Sequence, residues 1–252
     1  TITLRRIKNA TKNFRHDKNI GEGGSAHVFN GKFKKGQICA VKRLKPAAHR
    51  DTDYNNEVHL LSRLSHPNII NVVGCCADDD EEERIVVYEF MPLGTLYDQL
   101  HARKNGQAAL DWDTRMRIAA GVAKGLSYLH NEADPQIIYR DLKPTNVLLG
   151  DGFHPRISDF GIAKSAPFDA QSSTVTTAVL MGTPPYWAPE NALAEGHSFK
   201  SDVYSFGAVL LEIIVCDVPL DTSSGGAVAH WVTLLIFFIL LLLLLLLLLF
   251  GN

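Results

Sequence analysis

The sequence predicts an α+β protein of two lobes, a strand-rich first lobe and a helix-rich second, with a cleft between them. Two observations predict it. The first third alternates short apolar runs with glycine-rich and charged turns, and from Leu96 onward the apolar period lengthens to that of helices. A chain of 252 residues is long enough for one sizeable core, or for one domain with two lobes.

The elements follow in order. Residues 1–19 are basic and polar with scattered apolar positions, consistent with a short amphipathic helix. "NIGEGGSAHVFNGKFKKGQICAVKRL" reads as strands broken by turns, the first punctuated by Gly21, Gly23 and Gly24. In "DTDYNNEVHLLSRL" the positions of Val58, Leu61 and Leu64 have helical spacing. "HPNIINVVGCC" and "ERIVVYEFM" are strand-like and flank six acidic residues, 78–83, expected to form a solvated hairpin loop. Further on, Ile118, Val122, Leu126 and Leu129 share one helical face, with Asp113 expected to cap that helix. "NVLL" and "PRISDF" are short strands around a turn, and residues 164–180, without period, form a long mobile loop. "SDVYSFGAVLLEIIV" is a helix too apolar all round to face water.

Composition excludes some roles. With 25 basic and 27 acidic residues the net charge is −2, so no broad basic surface awaits nucleic acid or an acidic membrane. Cys39, Cys75, Cys76 and Cys216 form neither a disulfide framework nor a C-x-x-C ligand pair, and reduced thiols are expected.

Four features carry chemistry. From Gly21 to Val28 runs G-x-G-x-x-A-x-V, a turn whose backbone N–H groups can approach phosphate oxygens closely. "CAVK" places Lys42 at the end of a buried strand, and Glu57 stands on the following helix, on the face that can turn inward to pair with it. "YRDLKPTN" supplies Asp141 to accept or align a hydroxyl proton, Lys143 to neutralise phosphoryl charge, and Asn146 as an uncharged metal ligand. "SDFG" supplies Asp159, a hard oxygen ligand suited to Mg²⁺. Each alone is weak. All four in this order, followed by "APE" at 188–190, are specific.

With those motifs the sequence resembles the eukaryotic protein kinases. It is more closely similar to the plant receptor-like cytoplasmic kinases of the interleukin-receptor-associated type, through "ATKNFRHDKNIGEGG", "VYEFMPLGTLYDQLH", "IIYRDLKPTNVLL", "GFHPRISDFGIAK" and "KSDVYSFGAVLLE". The resemblance runs from about residue 9 to about residue 217. It implies the two-lobed kinase-like fold and transfer of the ATP γ-phosphate to Ser or Thr hydroxyls of protein substrates. An upstream receptor kinase is an implied partner. Val28 and Ala40 are expected above the adenine and Leu148 below, with Glu89 to Met91 as hinge and Tyr88 as gatekeeper. Leu61, Tyr139 and Phe160 are expected to stack in a spine. Lys42 would meet the α/β-phosphates, Asp159 and Asn146 would hold Mg²⁺, and Thr183 would bridge Asp141 and Lys143. Arg140 implies regulation by a loop phosphate, with Ser172, Ser173, Thr174, Thr176 and Thr177 as acceptors.

Several positions depart from the family pattern. Ala26 replaces the third glycine, at a cost of roughly 1–2 kcal/mol if its φ must be positive, and Ser25 replaces an aromatic. Pro184 and Pro185 stiffen the peptide-positioning segment and remove two N–H donors. The resemblance implies further helices after the axis helix around residues 202–215, and an arginine pairing with Glu190. Neither is found in the remaining sequence, so the second lobe is expected to lack its last helices and the axis helix part of its cover. The expected division is 1–19 flanking segment, 20–91 first lobe and hinge, 92–217 partial second lobe, 218–230 linker and 231–250 apolar run. That run is twenty residues, apolar except Thr233, with ten consecutive leucines. At 1.5 Å per residue it spans roughly 30 Å, a bilayer core. It reads either as a membrane helix anchoring a cytoplasmic domain or as sequence not evolved as protein.

Overall fold

A computed structural model describes residues 1–46, 50–102, 108–166, 174–175, 181–192 and 196–216. The linker and apolar run at 218–250 lie outside these, as do Ser172, Ser173, Thr176 and Thr177. Among the described residues no helix is long and apolar enough to cross a membrane.

The first lobe begins with α1 (Leu4–Ala10), then β1 (Asn19–Glu22), β2 (Ala26–Lys32) and β3 (Ile38–Leu44), α2 (Arg50–Leu61), and β4 (Val72–Asp78) and β5 (Glu83–Glu89). The five strands form one antiparallel sheet in the order β1-β2-β3-β5-β4. Alternation places Cys39 and Val41 of β3 on one face, where Ile85 and Val87 of β5 join them. Ile2, Leu4 and Ile7 of the amphipathic N-terminal segment cover this face. The other face turns toward α2 and the main core, which runs through both lobes.

The acidic run is not wholly solvated. Glu83 is buried in β5, where Arg43 Nε donates to its Oε2 at 2.8 Å, and Glu81 pairs with Lys8. A strand position opposite a guanidinium neutralises what six consecutive like charges would otherwise expose.

The second lobe contains α3 (Leu96–Leu100), α4 (Trp112–Asn131), β6 (Ile137–Ile138), β7 (Val147–Leu149), β8 (Pro155–Ile157), β9 (Lys164–Ser165), β10 (Thr174–Val175), α5 (Pro189–Ala192), β11 (His197–Ser198) and α6 (Phe199–Val215). Ile118, Val122, Leu126 and Leu129 are buried along α4 as their spacing requires. Its cap is Asp111, however, which accepts from the Thr114 N–H at 2.7 Å; Asp113 lies inside the first turn, past the capping position. Within the region expected to be an aperiodic loop, β9 pairs with β6 and β10 with β11.

Helix α6 also differs from expectation. Val203 is 57% exposed, whereas Ser201, Asp202, Ser205 and Glu212 are buried. The buried polar groups are hydrogen-bonded: Ser205 Oγ donates to Tyr186 O at 2.7 Å, and Glu212 receives Tyr186 Oη–H at 2.8 Å and faces His101 Nε2 at 2.7 Å.

Where α4 meets β8, a glycine is required by space. A Cβ on Gly121 would stand 2.4 Å from Pro155 Cγ and 2.9 Å from Asn68 Nδ2. Gly121→Ala is therefore expected to destabilise by about 1–3 kcal/mol despite the better helix propensity of alanine. A lowered midpoint in urea unfolding checks it; an unchanged or raised midpoint refutes the tight approach.

Candidate active site

Strand β3 brings Lys42 to the inner face of the first lobe, α2 brings Glu57, and the segment after β8 brings Asp159. Lys42 Nζ lies 2.8 Å from Glu57 Oε2 and 2.7 Å from Asp159 Oδ1. Burial alone would lower the lysine's proton affinity, but the attraction of Asp159 and Glu57 outweighs it and holds the ammonium well above its ordinary range. Glu57 is buried, and its other oxygen accepts from Tyr88 Oη–H at 2.6 Å and from the Phe160 N–H at 3.3 Å. Tyr88 is therefore tied to the α2 carboxylate, a contact that spacing alone does not reveal.

The segment between β6 and β7 supplies a second cluster. Thr183 Oγ1 donates to Asp141 Oδ1 at 2.7 Å and accepts from Lys143 Nζ at 2.7 Å, while Lys143 reaches Asp141 Oδ2 at 2.8 Å. Asn146 Nδ2 donates to both the carbonyl and Oδ2 of Asp141 at 2.9 Å. Asp141 thus receives donors from Thr183, Lys143 and Asn146.

Both loops hold residues in the left-handed region, Arg140 at φ 76° and Asp159 at φ 62°, a conformation that costs a non-glycine residue of order 1–3 kcal/mol. Asp202, in the first turn of α6, restrains the first: its carboxylate accepts from the Tyr139 and Arg140 N–H groups, each at 2.8 Å, and contacts His130 Nε2 at 2.9 Å. Sequence reasoning missed this role. The available signal was an aspartate in the opening turn of an otherwise apolar helix.

Tyr139 and Phe160 pack edge-on with centroids 5.1 Å apart, inside the core that also contains Leu61. A cleft of about 250 Å³ is lined by Lys42, Glu57, Asp141, Lys143, Asp159 and Thr183, with Ser25 at its upper edge. The expected adenine group lies apart from this cleft lining. Ala40 sits beside Tyr88 in the sheet, Val28 opposite Lys42, and Leu148 in β7; Ala40 and Leu148 pack on the core margin. Glu89 of the expected hinge accepts from the Asn71 N–H at 2.8 Å, and Met91 is buried beside Gly150, just after β7.

Three departures prove compatible with the fold. Ala26 begins β2 opposite Leu44 and has no positive φ, so the expected strain does not arise; nor do Gly21, Gly23 or Gly24 use positive φ. Pro184 and Pro185 open a single 3₁₀ turn, where the missing N–H groups would have no partner within the helix. Ahead of it Gly182 takes φ +97°, its Cα facing the Arg140 carbonyl so closely that a Cβ would stand 2.6 Å away. Glu190 accepts from Ser201 Oγ at 3.3 Å.

Arg140 is buried, which lowers its proton affinity against the pull of Asp202. Thr174, the described member of the five candidate acceptors, lies in β10 directly opposite Ser198 of β11. The neighbouring His197 is buried, its Nδ1 2.7 Å from Asn191 Nδ2.

The α+β fold thus brings Lys42 and its two carboxylates to one cleft with the Asp141–Lys143–Thr183 cluster. Comparison with known proteins shows the family: the protein kinase domain matches residues 14–236. This chain belongs to the protein kinase family. It is 50% identical over 225 residues to the serine/threonine-protein kinase PBL27 of Arabidopsis thaliana, covering 88% of this chain and 43% of that protein. It is 48% identical over 224 residues to the serine/threonine-protein kinase PBS1 of the same plant, covering 88% and 48%. Identity to the serine/threonine-protein kinase CDG1 is 48% over 214 residues, covering 84% and 49%. The chain spans about half the length of these curated relatives.

Two outcomes are expected from the site's electrostatics. Tyr88→Phe removes a donor from the buried Glu57 carboxylate and should cost about 1–3 kcal/mol of stability, read as a lowered denaturation midpoint. His197 has its proton affinity lowered by burial first and by the Arg140 charge second, with Asp202 and Glu190 opposing. The unfolded chain, whose histidine titrates near 6.5, therefore takes up the proton first, and stability falls as pH drops from about 6.5 through the lower folded value. His197→Leu should flatten that acid limb of the melting-temperature profile. An unchanged slope would assign the limb to other groups.

Proposed function

We propose that this chain transfers the γ-phosphate of ATP to serine and threonine hydroxyls of protein substrates. The observation that carries the reading is the arrangement around Asp141, whose two oxygens are met by Thr183, Lys143 and Asn146.

In this reading Lys42 meets the α/β-phosphates, and Gly21 and Gly23 bring the backbone of the β1–β2 turn over them. Val28, Ala40 and Leu148 enclose the adenine, Glu89 to Met91 supply the hinge, and Glu57 keeps Lys42 in place. Asp141 accepts the hydrogen bond of the acceptor hydroxyl and orients it for in-line attack. Lys143 balances charge on the transferred group, and Thr183 fixes both side chains relative to the peptide-positioning turn at Pro184–Tyr186. The acceptor proton passes toward Asp141 as the bond from the hydroxyl oxygen to the γ-phosphorus forms and the bond from that phosphorus to the β,γ-bridging oxygen breaks, with ADP as the leaving group.

The family generally uses Mg²⁺ with ATP, and the residues present fit it. Asp159 is a hard carboxylate partly open to the cleft, and Asn146, whose amide nitrogen donates to Asp141, would offer its carbonyl oxygen. So thin a protein donor set suits Mg²⁺, which completes its shell with water and substrate phosphates. When bound, the ion would neutralise phosphate charge.

Arg140 supports control by a phosphate on the 164–180 segment, at Ser172, Ser173, Thr174, Thr176 or Thr177. The partners proposed are Ser/Thr-bearing proteins and an upstream receptor kinase, acting in the cytoplasm; one similar plant protein is named a receptor-like kinase, LIP2. Anchoring through residues 231–250 rests on their apolar sequence alone.

The test is transfer of labelled phosphate from Mg²⁺·ATP to a generic basic protein. Label is expected on serine and threonine and not on tyrosine. Asp159→Asn should abolish it, and Asp141→Asn should lower kcat by about 10²–10⁴-fold. A wild-type chain that folds cooperatively, binds nucleotide and transfers nothing would leave a kinase-like scaffold acting through protein contacts.

A further inference from the structure

Glu57 is not alone in gripping the Asp159 segment. The residue before it on α2, Asn56, points its amide nitrogen at three backbone carbonyls: Phe160 O at 3.1 Å, Gly161 O at 2.8 Å and Ala163 O at 2.7 Å. These oxygens converge because the chain curls back on itself after Asp159, with the Ala163 N–H donating to Phe160 O at 3.2 Å. An amide nitrogen carries two protons, so Asn56 serves two carbonyls fully and the third by sharing. Adjacent residues of one helix thus present opposite polarities to one loop. Glu57 accepts its N–H at Phe160, and Asn56 donates to its carbonyls. The segment also lies within van der Waals reach of α2, since a Cβ on Gly161 would stand 3.4 Å from Asp53 Cβ.

Asp159 occupies the left-handed region at φ 62°, which an aspartate keeps only when its surroundings hold the backbone there. We propose that Asn56 is a positioning residue that holds this backbone, so that seating of α2 and presentation of the Asp159 carboxylate to the metal-bound nucleotide are one event. The inference rests on the reading of Asp159 as a Mg²⁺ ligand. It requires a donor at residue 56: an aspartate there keeps the size of asparagine but turns an acceptor toward three acceptors.

The test uses the full 252-residue chain and compares binding of ADP with and without Mg²⁺, by calorimetry, for wild type, Asn56→Asp and Asn56→Leu. At about pH 8 both variants are expected to lose about tenfold or more of Mg²⁺·ADP affinity, while metal-free ADP affinity changes little. On acidification toward about pH 6 the introduced carboxyl, its proton affinity raised by facing carbonyls, gains an O–H donor. The deficit of Asn56→Asp should then narrow while that of Asn56→Leu does not. A general packing defect would produce no such recovery. Equal Mg²⁺·ADP affinity in wild type and both variants overturns the inference, as does an equal loss with and without metal. If Asn56→Asp shows no cooperative melt, Asn56→Leu alone decides between metal-dependent and metal-independent loss. A wild-type chain that binds Mg²⁺·ADP but phosphorylates nothing refutes the phosphotransfer reading and leaves this comparison intact. A wild type indifferent to Mg²⁺ overturns the metal reading and the inference together.

Discussion

One ammonium group balances two carboxylates from distant parts of the chain, and the rest of the cleft is arranged about it. Lys42 arrives on a strand, Glu57 on a helix and Asp159 on a loop of the other lobe. A buried charge without its partner is costly, several kcal/mol after relaxation, so each of the three elements constrains the other two. Glu57 is then completed by Tyr88 and the Phe160 N–H, which extends the same electrostatic bond to the hinge strand and the core. Such an assembly couples the lobes through charge rather than through apolar area alone.

Asp202 plays the corresponding part in the second lobe. Its two oxygens satisfy the N–H groups of Tyr139 and Arg140, the second of which lies at positive φ, immediately before Asp141. Helix α6 is therefore more than an apolar axis: it pins a strained backbone from beneath and also engages Tyr186 through Ser205 and Glu212. The buried polar face and the exposed Val203 invert the distribution that hydropathy leads one to expect. Burial in this helix follows hydrogen-bond partners as much as apolarity.

The turns show similar economy. Glycine-rich composition suggests positive φ between β1 and β2, yet no residue there adopts it, and alanine is admitted at residue 26 without strain. Positive φ appears instead at Gly182, where the Arg140 carbonyl leaves no room for a Cβ, and at two non-glycine residues of the site. These two, Arg140 and Asp159, are among nine described non-glycine residues at positive φ, and at the site hydrogen bonds from Asp202 and α2 hold the neighbouring backbone.

Much was legible in the sequence. Strand alternation, the helical period around Ile118 and the order of the four motifs point to the two-lobed fold and bring forward Lys42, Glu57, Asp141, Lys143, Asn146 and Asp159, because periodicity and chemistry are local properties of the chain; Thr183 comes only through the family resemblance. Tertiary structure alone decided which helix residue caps α4, that Glu83 is buried against Arg43, that Tyr88 binds Glu57, and that Asn56 and Asp202 hold the two strained loops. In most of these the partners lie far apart along the chain. Their meeting depends on where whole elements pack, and a hydrogen bond of fixed length and direction leaves no trace in local spacing.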